Sequence, residues 1–334
     1  MIFSDKNQSR ITDYSVVLTA YNEEKTLESS FSATKRAIDF SFSQNSELSL
    51  VNIVICHNGC TDKTPQIAQN IKKEIFKQKI HIEVINSAKG MILAQNECMR
   101  YIRKYYNVDS PIIFIDTDSL IDGKAIDIFL AQFTLHPDLK VVGAHPVPIP
   151  YNGLSVIRKF WDRVLNCRAY FPKSEVTVNY APQFHPYADT DQQSIGAEFE
   201  RHSKIYFHGR CFALRNESVW DVPENAIAED IYLDRNIHFR FGPGSIRVVY
   251  DAKIYFYPMN YLSRFSKTFY RIYYDLCTLK HMHPEYNNIR EYAKTKLDWT
   301  YIRQLTIRWQ IIFIIYSGLG FSDRYTRGNI LVKN

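Results

Sequence analysis

The chain has 334 residues, of which 46% are apolar and 23% charged, a composition that is typical of a globular protein and excludes an intrinsically disordered one. Its net charge of +6 lies at the C-terminal end, because residues 261–334 contain 12 Lys or Arg against 5 Asp or Glu. A charge confined to one end argues against a general nucleic-acid-binding surface. It favours a basic appendage that faces an anionic partner, a membrane or a phosphorylated acceptor, and a solvated basic surface explains it equally well.

The apolar runs and the cysteines predict the compartment. The best apolar run, residues 311–315 with flanking aromatics, is about half of the ~20 residues that a membrane span needs, and the first ten residues lack the apolar core of a signal peptide. We therefore expect a cytoplasmic protein, at most peripheral at the inner face of the membrane. The six cysteines form no Cys-x-x-Cys pair, so we expect reduced thiols. A zinc site at Cys56, His57 and Cys60 lacks a second pair of ligands.

From the N-terminus, apolar runs alternate with helical stripes. The runs predict five strands, at residues 14–19, 51–56, 80–85, 111–115 and 139–143. Between them, apolar residues at helical spacing predict three helices, through Leu27, Phe31, Thr34 and Ile38; Ile67, Ile71 and Ile75; and Cys98, Ile102 and Tyr105. This alternation predicts an α/β fold with a parallel sheet, in which ligands bind beyond the carboxyl ends of the strands.

Polar residues follow three of these predicted strands, at residues 19–23, at residues 57–62, and at Asp116 and Asp118. Two carboxylates so close together repel each other unless a cation or hydrogen-bond donors lie between them, and Mg²⁺ or Mn²⁺ with substrate phosphates meets that need. An Asx turn or a helix cap is the ordinary explanation of an isolated Asp-x-Asp. A calcium-binding EF-hand is excluded, because Ile121 stands where that loop requires Gly.

The second half of the chain is less regular. Residues 145–203 are rich in Pro and Tyr and contain one predicted helix, near residues 154–165, so we interpret them as an irregular segment that faces an acceptor. It is followed by the block Ile205 to Arg215, the acidic pair Glu229 and Asp230, and a predicted pair of strands around 246–257.

An amphipathic helix is predicted from Leu262. Its apolar positions recur at spacings of three and four, at Leu262, Phe265, Phe269, Ile272, Leu276 and Leu279. Arg264, Lys267 and Arg271 accompany this stripe, so the helix could lie at a membrane interface and bring the site to a lipid-linked acceptor. The alternative is that the stripe packs on its own domain.

Four segments, in order, resemble family 2 glycosyltransferases, the inverting group of nucleotide-diphospho-sugar transferases with the GT-A fold. The segments are Val16 to Glu24 with its Tyr-Asn-Glu turn, Ile53 to Thr64 with its Asn-Gly loop, Phe114 to Asp118 with its Asp-x-Asp motif, and Glu229 to Leu233 with its acidic pair. The resemblance covers roughly residues 11–260. It implies a Rossmann-like, mostly parallel central sheet flanked by helices, with a C-terminal helical appendage.

The resemblance also implies a domain organisation. Residues 1–260 would form the GT-A domain, with a nucleotide-sugar-binding half at 11–145 and an acceptor-binding half carrying the catalytic base at 146–260. Residues 261–334 would form a basic, mainly helical C-terminal region.

By the same resemblance, Asp118 is a ligand of Mn²⁺ or Mg²⁺, and Asp116 contacts the ribose or sugar and helps to hold the metal. The implied donor-binding residues are Thr19, Ala20, Tyr21, Glu23, His57, Asn58, Gly90, Asn96 and Asp116. Asp230 is the implied catalytic base, with Glu229 beside it, and Gly209 and Arg210 are candidates on the acceptor side. Each motif also has a structural explanation: Tyr21 as a core or turn aromatic, Asp62 as a helix cap, and Glu229 with Asp230 as acids favoured at a helix start.

Three departures from the family pattern limit what can be transferred. His57 stands where an acidic residue commonly bonds the uracil, so UDP is favoured without being established. Met91 occupies the usual Lys position of a Gly-Lys block, and Lys89 lies before Gly90 instead. The Gln-x-x-Arg-Trp element of processive synthases is absent, since the corresponding segment keeps only Arg271, and this favours the addition of a single sugar.

The sequence therefore predicts a metal-dependent, inverting glycosyltransferase of the hexosyltransferase type. It would transfer one sugar from a nucleotide-diphosphate donor, with UDP favoured, to a hydroxyl on a glycan, a glycolipid precursor or a natural product. One rival is a non-catalytic GT-A-like binding module that docks on an anionic membrane or partner. Another is a nucleotidyltransferase, which normally carries a Gly-rich phosphate loop after its first strand, where this chain has Tyr-Asn-Glu-Glu-Lys.

Overall fold

The predicted alternation of strands and helices is found in a computed structural model, which describes residues 11–74, 79–150, 155–178, 207–226, 228–258, 274, 277–279, 281–286 and 294–318. Its strands are β1 (Asp13–Ala20), β2 (Leu50–Asn58), β3 (Ile80–Ser87), β4 (Ile112–Asp116), β5 (Ser119–Ile121), β6 (Val141–Pro148), β7 (Glu175–Val178), β8 (Cys211–Leu214), β9 (Ile246–Phe256) and β10 (Lys294–Leu297). Its α-helices are α1 (Leu27–Gln44), α2 (Thr64–Lys73), α3 (Met91–Tyr105), α4 (Ala125–Leu135), α5 (Val156–Tyr170), α6 (Glu229–Phe241), α7 (Trp299–Ile302) and α8 (Ile307–Gly318).

The order of strands in the main sheet places a ligand crevice beside β1. Within the described residues this sheet has eight strands in the order β3-β2-β1-β4-β8-β6-β9-β5. Strands β1 to β4 are parallel to one another, and β8 runs antiparallel to β4 and to β6. The chain moves from β1 outward to β3 and then returns to the other side of β1 as β4. Ligands of open α/β sheets bind at such a switch point, outside the carboxyl ends of the strands.

The chain divides into two compact units. The first contains Met1–Pro146, Phe207–Ile237 and Ser245–Tyr255. Its core buries apolar side chains of the central strands against α1, α2 and α4, among them Tyr14, Leu18, Ile53, Phe31, Ile71 and Phe129. Helix α3 packs on β1, β2 and β3. This is the predicted α/β fold, a mostly parallel sheet flanked by helices.

The second unit, Val147–Tyr206, His238–Gly244 and Phe256–Asn334, has a small core of its own. There α8 packs against α5 and α7, in a cluster that contains Val164, Cys167, Ile302 and Phe313. Strands β7 and β10 pair in an antiparallel ribbon. Among the described residues, no helix of either unit is long and apolar enough to span a membrane.

Among the regular elements of the first unit, β9 and α4 differ from the sequence-based expectation. The predicted pair of strands around 246–257 is a single strand, β9, because no Gly or Pro interrupts its eleven residues. Helix α4 was not predicted, because apolar residues fall on most positions of its sequence and give little periodicity. The helix predicted from Leu262 lies outside the described residues, as does the predicted boundary at residue 260, which stays a prediction.

Candidate active site

The carboxyl ends of β1, β2 and β4 meet at one cavity of about 300 Å³. The strand register aligns Thr19 with Asp116 on one side and Ala20 with His57 on the other. The cavity is lined by Thr19, Tyr21, Glu23, Asn58, Lys89, Gly90, Met91, Asp116, Thr117 and Asp118. The sheet therefore brings together residues that are up to 99 positions apart in the sequence, and it does so at the switch point.

The Asp-x-Asp motif is held by β1 and by the residue that precedes β8. The backbone N–H of Asp116 donates to the carbonyl of Arg210 at 2.8 Å, and the Thr117 hydroxyl donates to the Thr19 carbonyl at 2.8 Å. Asp118 is more exposed, with 52% of its side chain accessible, and it accepts a hydrogen bond from Ser119 at 2.9 Å. Arg210 donates to the same carboxylate, with 3.3 Å between Nη1 and Oδ1.

The position of Arg210 is the main feature that sequence reasoning did not find. The resemblance suggested an acceptor-side role, whereas the structure places the guanidinium against Asp118 and Ser119. The pairing of β4 with β8 explains the contact, because it sets Cys211 opposite Ile115 and thereby brings residue 210 alongside Asp116. A prediction that β4 pairs with β8 would have indicated this contact from the sequence.

Negative charge accumulates in this cavity. Burial raises the pKa of Asp116 to about 7, with repulsion from Asp118 adding to the shift and the Arg210 charge opposing it. Burial also raises the pKa of Glu23, where a hydrogen bond from Thr26 opposes the shift and Asp118 adds to it. The cluster is thus suited to bind a proton or a cation.

The motif fits a divalent cation that shares its ligands with a substrate. Mg²⁺ and Mn²⁺ are commonly held by one or two carboxylates together with substrate phosphates, and Asp116 and Asp118 supply that donor set. Among the residues that the structure describes, no group of three or more His, Cys, Asp or Glu side chains is arranged to hold a metal ion. The remaining ligands would have to be substrate oxygens and water.

The second acidic pair, Glu229 and Asp230, begins α6 and lies against the Gly209 backbone. The N–H of Gly209 donates to Oδ2 of Asp230 at 3.1 Å. A Cβ atom at Gly209 would lie 2.8 Å from Oε1 of Glu229 and 3.2 Å from Oδ2 of Asp230, so only glycine lets both carboxylates approach this closely. Gly209 and Arg210 therefore connect the acidic pair of α6 to the Asp-x-Asp motif.

The two acids of this pair differ in their surroundings. Glu229 is buried, whereas Asp230 is half-buried. Burial raises the pKa of Glu229 to about 8, and the charges of Asp230 and Asp116 add to the shift, with a hydrogen bond to Gln95 opposing it. Glu229 is thus kept protonated at neutral pH beside a partner that is more accessible to solvent.

The raised pKa of Glu229 predicts a pH-dependent stability. Between pH 4.5, its ordinary pKa, and about 8, the folded chain holds a proton that the unfolded chain has lost, so stability falls as pH rises through this window. We expect wild type to lose about 1–3 kcal/mol more than Glu229→Gln between pH 5 and pH 8 in urea unfolding. Glu74→Gln, at an exposed position, should lose as much as wild type. Equal losses for wild type and Glu229→Gln would contradict this prediction.

The loops after β1 and β2 are fastened to each other by reciprocal hydrogen bonds. Asn22, in the left-handed region with φ 56°, accepts from the Thr61 N–H at 2.8 Å and donates from Nδ2 to the Thr61 hydroxyl at 3.2 Å. The N–H of Glu23 donates to the Thr64 hydroxyl at 2.7 Å, and that of Glu24 donates to Asp62 at 3.1 Å. Asp62 also accepts from the Thr64 N–H at 3.0 Å, so the role of its carboxylate is structural.

Lys89 and Gly90 form part of the cavity wall. The Lys89 ammonium lies 4.7 Å from the centroid of the Tyr21 ring, so one face of that ring is covered by a cation. Gly90 has φ 145°, a conformation open to glycine, and it precedes the first residue of α3. The first turn of α3 thus points backbone N–H groups toward the cavity wall that Gly90 and Met91 form.

Gly59 packs against Lys89 and should tolerate a methyl group poorly. Its φ is 61°, and a Cβ atom there would lie 2.8 Å from Cβ of Lys89. We expect Gly59→Ala to lower the free energy of unfolding by about 1–3 kcal/mol. Gly123→Ala is the matched control, because a Cβ atom there meets no atom within 4 Å. Equal midpoints of urea unfolding for the two variants would contradict this interpretation.

Three predicted donor-binding residues, Ala20, His57 and Asn96, are not among the residues that line the cavity. His57 is half-buried, and burial lowers its pKa. Asn96 binds the segment after β8, accepting from the Trp220 indole at 2.7 Å and donating to the Val222 carbonyl at 3.1 Å. Trp220 in turn stacks on Phe114 of β4 at 4.8 Å, so Asn96 supports the strand that carries the Asp-x-Asp motif.

Comparison with known proteins identifies the family of the chain. The sequence profile described as "Glycosyl transferase family 2" matches residues 15–222. Curated proteins provide no match to the chain.

Three solved structures are similar to the chain, each with 14% identity. TarS from S. aureus has a TM-score of 0.44, and the match covers 73% of this chain and 36% of that one. The mannosyltransferase PcManGT from Pyrobaculum calidifontis, in complex with GDP-Man and Mn²⁺, has a TM-score of 0.45, with 74% of this chain and 56% of that one covered. Glucosyl-3-phosphoglycerate synthase from Mycobacterium tuberculosis, in complex with Mn²⁺, UDP and glucosyl-3-phosphoglycerate, has a TM-score of 0.44, with 81% of this chain and 79% of that one covered. The chain thus spans 36% of the length of the first and 56% of the second.

Proposed function

The chain belongs to glycosyl transferase family 2, and from that premise we propose that it transfers one sugar from a nucleotide-diphosphate donor to a hydroxyl acceptor, with inversion at the anomeric carbon. The observation that carries the proposal is the joining of the Asp-x-Asp motif to the Glu229–Asp230 pair through two consecutive residues, Gly209 and Arg210. Glycosyl transfer needs a base for the acceptor hydroxyl and positive charge for the leaving diphosphate. One site with both features meets that need.

Asp230 is the proposed base. It is half-buried, and its Oδ2 is held by the Gly209 N–H, so the carboxylate is oriented while remaining accessible to an acceptor. Glu229 is buried behind it with a raised pKa, which suits a protonated neighbour that adds no second negative charge. In an inverting transfer the base takes the proton of the hydroxyl as that oxygen attacks the anomeric carbon.

Residues at the ends of β1, β2 and β4 would bind the donor. Tyr21 and Asn58 line the cavity where a nucleoside would enter, with UDP favoured, and Thr19 and Glu23 lie beside them. Lys89 and the first turn of α3 offer positive charge and N–H groups to a diphosphate. In the family pattern a Lys stands at the position of Met91, and these features would supply the positive charge of that Lys.

Asp118 and Asp116 would hold Mn²⁺ or Mg²⁺ together with oxygens of the donor. Bound there, the cation would neutralise charge on the leaving diphosphate. The chain's own contributions are the two carboxylates, the Ser119 hydroxyl that orients Asp118, and the guanidinium of Arg210.

A screen of nucleotide sugars tests this function. The melting temperature of the protein should rise with one nucleotide sugar in the presence of Mn²⁺, and that compound should then be hydrolysed slowly to a free sugar and a nucleoside diphosphate. A non-catalytic binding module, which His57 and Met91 favour, would bind a nucleotide without hydrolysing it. Release of pyrophosphate from a nucleoside triphosphate and a sugar phosphate would indicate a nucleotidyltransferase instead.

We also propose that the second unit contacts an anionic membrane, which would suit a lipid-linked acceptor. One side of α8 packs on α5, while the opposite side exposes Ile307, Ile311 and Ile314, with 74%, 50% and 58% of each residue accessible. Residues 299–318 contain two Arg and no Asp or Glu. An exposed apolar stripe flanked by cations matches the interface of a bilayer that contains anionic lipids.

Vesicle binding tests the stripe. Wild type should sediment with phosphatidylglycerol vesicles in a salt-sensitive manner and much less with phosphatidylcholine alone. Replacing the three isoleucines by Ser should abolish sedimentation, whereas Leu135→Ser, at another exposed apolar position, should not. Loss of dimers on the triple replacement, without vesicle binding by wild type, would assign the stripe to a second copy of the chain.

A further inference from the structure

Arg210 pairs with the carboxylate that is proposed to bind the metal. Its side chain is 21% accessible, and Nη1 lies 3.3 Å from Oδ1 of Asp118 and 3.4 Å from the Ser119 hydroxyl. Its backbone is fixed, because its carbonyl accepts the Asp116 N–H at 2.8 Å. The backbone of Arg210 is therefore fixed beside Asp116 while its guanidinium contacts Asp118, and rotation of the side chain requires no movement of β8.

A guanidinium and a divalent cation compete for Asp118. Both are positive, and both would use the same carboxylate, so the Arg210 contact opposes binding of the cation alone. With 52% of the Asp118 side chain accessible, the pair is screened by water and is easily exchanged. A diphosphate offers Arg210 a stronger partner than a single exposed carboxylate, because the planar guanidinium binds two phosphate oxygens at once.

We propose that the Arg210 side chain moves from Asp118 to the diphosphate of the nucleotide donor when the donor binds. The donor and the divalent cation then strengthen each other's binding. The inference rests on the proposed function and assigns Arg210 to the donor instead of the acceptor. It makes Arg210 a diphosphate-binding residue and, in the absence of nucleotide, a competitor of the metal. Binding of donor would release Asp118 for the cation, and the coupling must be reciprocal.

Two binding measurements, each made without the other ligand, test the exchange on Arg210→Gln. UDP affinity in EDTA, from calorimetry, should weaken about tenfold, because a charged contact to phosphate is lost. Mn²⁺ affinity without nucleotide, from the electron paramagnetic resonance signal of free Mn²⁺, should increase several-fold. Uridine, which has no phosphate, should bind wild type and variant equally.

The opposite signs of the two effects distinguish exchange from damage to the site. Arg100→Gln is the matched control, since it removes an exposed Arg that contacts Glu97 and Glu224, and it should leave both affinities unchanged. Arg210→Lys should restore part of the UDP affinity.

Each remaining outcome decides between the proposals. Weakening of both ligands by Arg210→Gln, or no change in either, would overturn the exchange. A change confined to the Michaelis constant of an acceptor would return Arg210 to the acceptor side. If wild type bound neither UDP nor GDP, with or without Mn²⁺, the proposed function itself would fail, and the role of Arg210 would fail with it.

Discussion

Asp230→Asn is expected to lower the turnover number of sugar transfer by about 10²–10⁴-fold, because an amide cannot accept the proton of the attacking hydroxyl. Donor binding should stay close to wild type. Asp230 accepts hydrogen bonds from Gly209 and Ile231 at the start of α6, and an asparagine of the same size can keep one of them. Initial rates at saturating donor, together with calorimetric donor affinity, separate the two quantities.

The control for Asp230→Asn is Asp251→Asn, which removes an exposed carboxylate from β9 in the same unit and should leave turnover unchanged. Near wild-type transfer by Asp230→Asn, with unaltered donor binding, would show that Asp230 is not the base. Loss of donor binding in parallel with turnover would indicate instead that the carboxylate orders the site.

Loss of Asp118, the proposed metal ligand, should have an effect of similar size. Asp118→Ala, or EDTA added to wild type, is expected to lower turnover by about 10³-fold or more, because neutralising charge on a leaving diphosphate contributes several kcal/mol to the transition state. UDP binding in the presence of Mn²⁺ should weaken as well. Adding Mn²⁺ back should restore wild type and should not restore the variant.

Metal-independent transfer by wild type would refute the metal assignment directly. Because alanine also removes the contact with Arg210, Asp118→Asn serves as a second variant that keeps the shape and a hydrogen bond to the guanidinium. Asp109→Ala, at an exposed position before β4, should behave as wild type. Full activity of Asp118→Asn would place the metal elsewhere.

The sheet could be predicted from sequence because each of its first four strands is rich in apolar residues and ends in polar ones. Thr19, Asn58 and Asp116 were placed at one edge on that basis, and the register confirms that these strand ends are neighbours. Strand β5 has three residues, too few to show a period, and α4 is apolar on most positions. Periodicity fails where an element is short or is buried on several sides.

Contacts that depend on strand order were outside the reach of the sequence. Arg210 reaches Asp118 only because β8, distant in sequence, pairs antiparallel to β4. Lys89 covers Tyr21, and Asn96 supports Trp220, through similar long-range placement. Motif order alone identifies which residue types a site contains, whereas the pairing of strands decides which of them touch.

The linkage through Gly209 and Arg210 has a consequence for how such a site can change. The amide of one residue holds Asp230, and the carbonyl of the next holds Asp116, so two adjacent residues link the proposed base to the Asp-x-Asp motif. Consecutive α-carbons are fixed about 3.8 Å apart by covalent geometry. Loops around the cavity could therefore be lengthened or exchanged to admit other sugars and acceptors without a change in the spacing between Asp230 and the Asp-x-Asp motif.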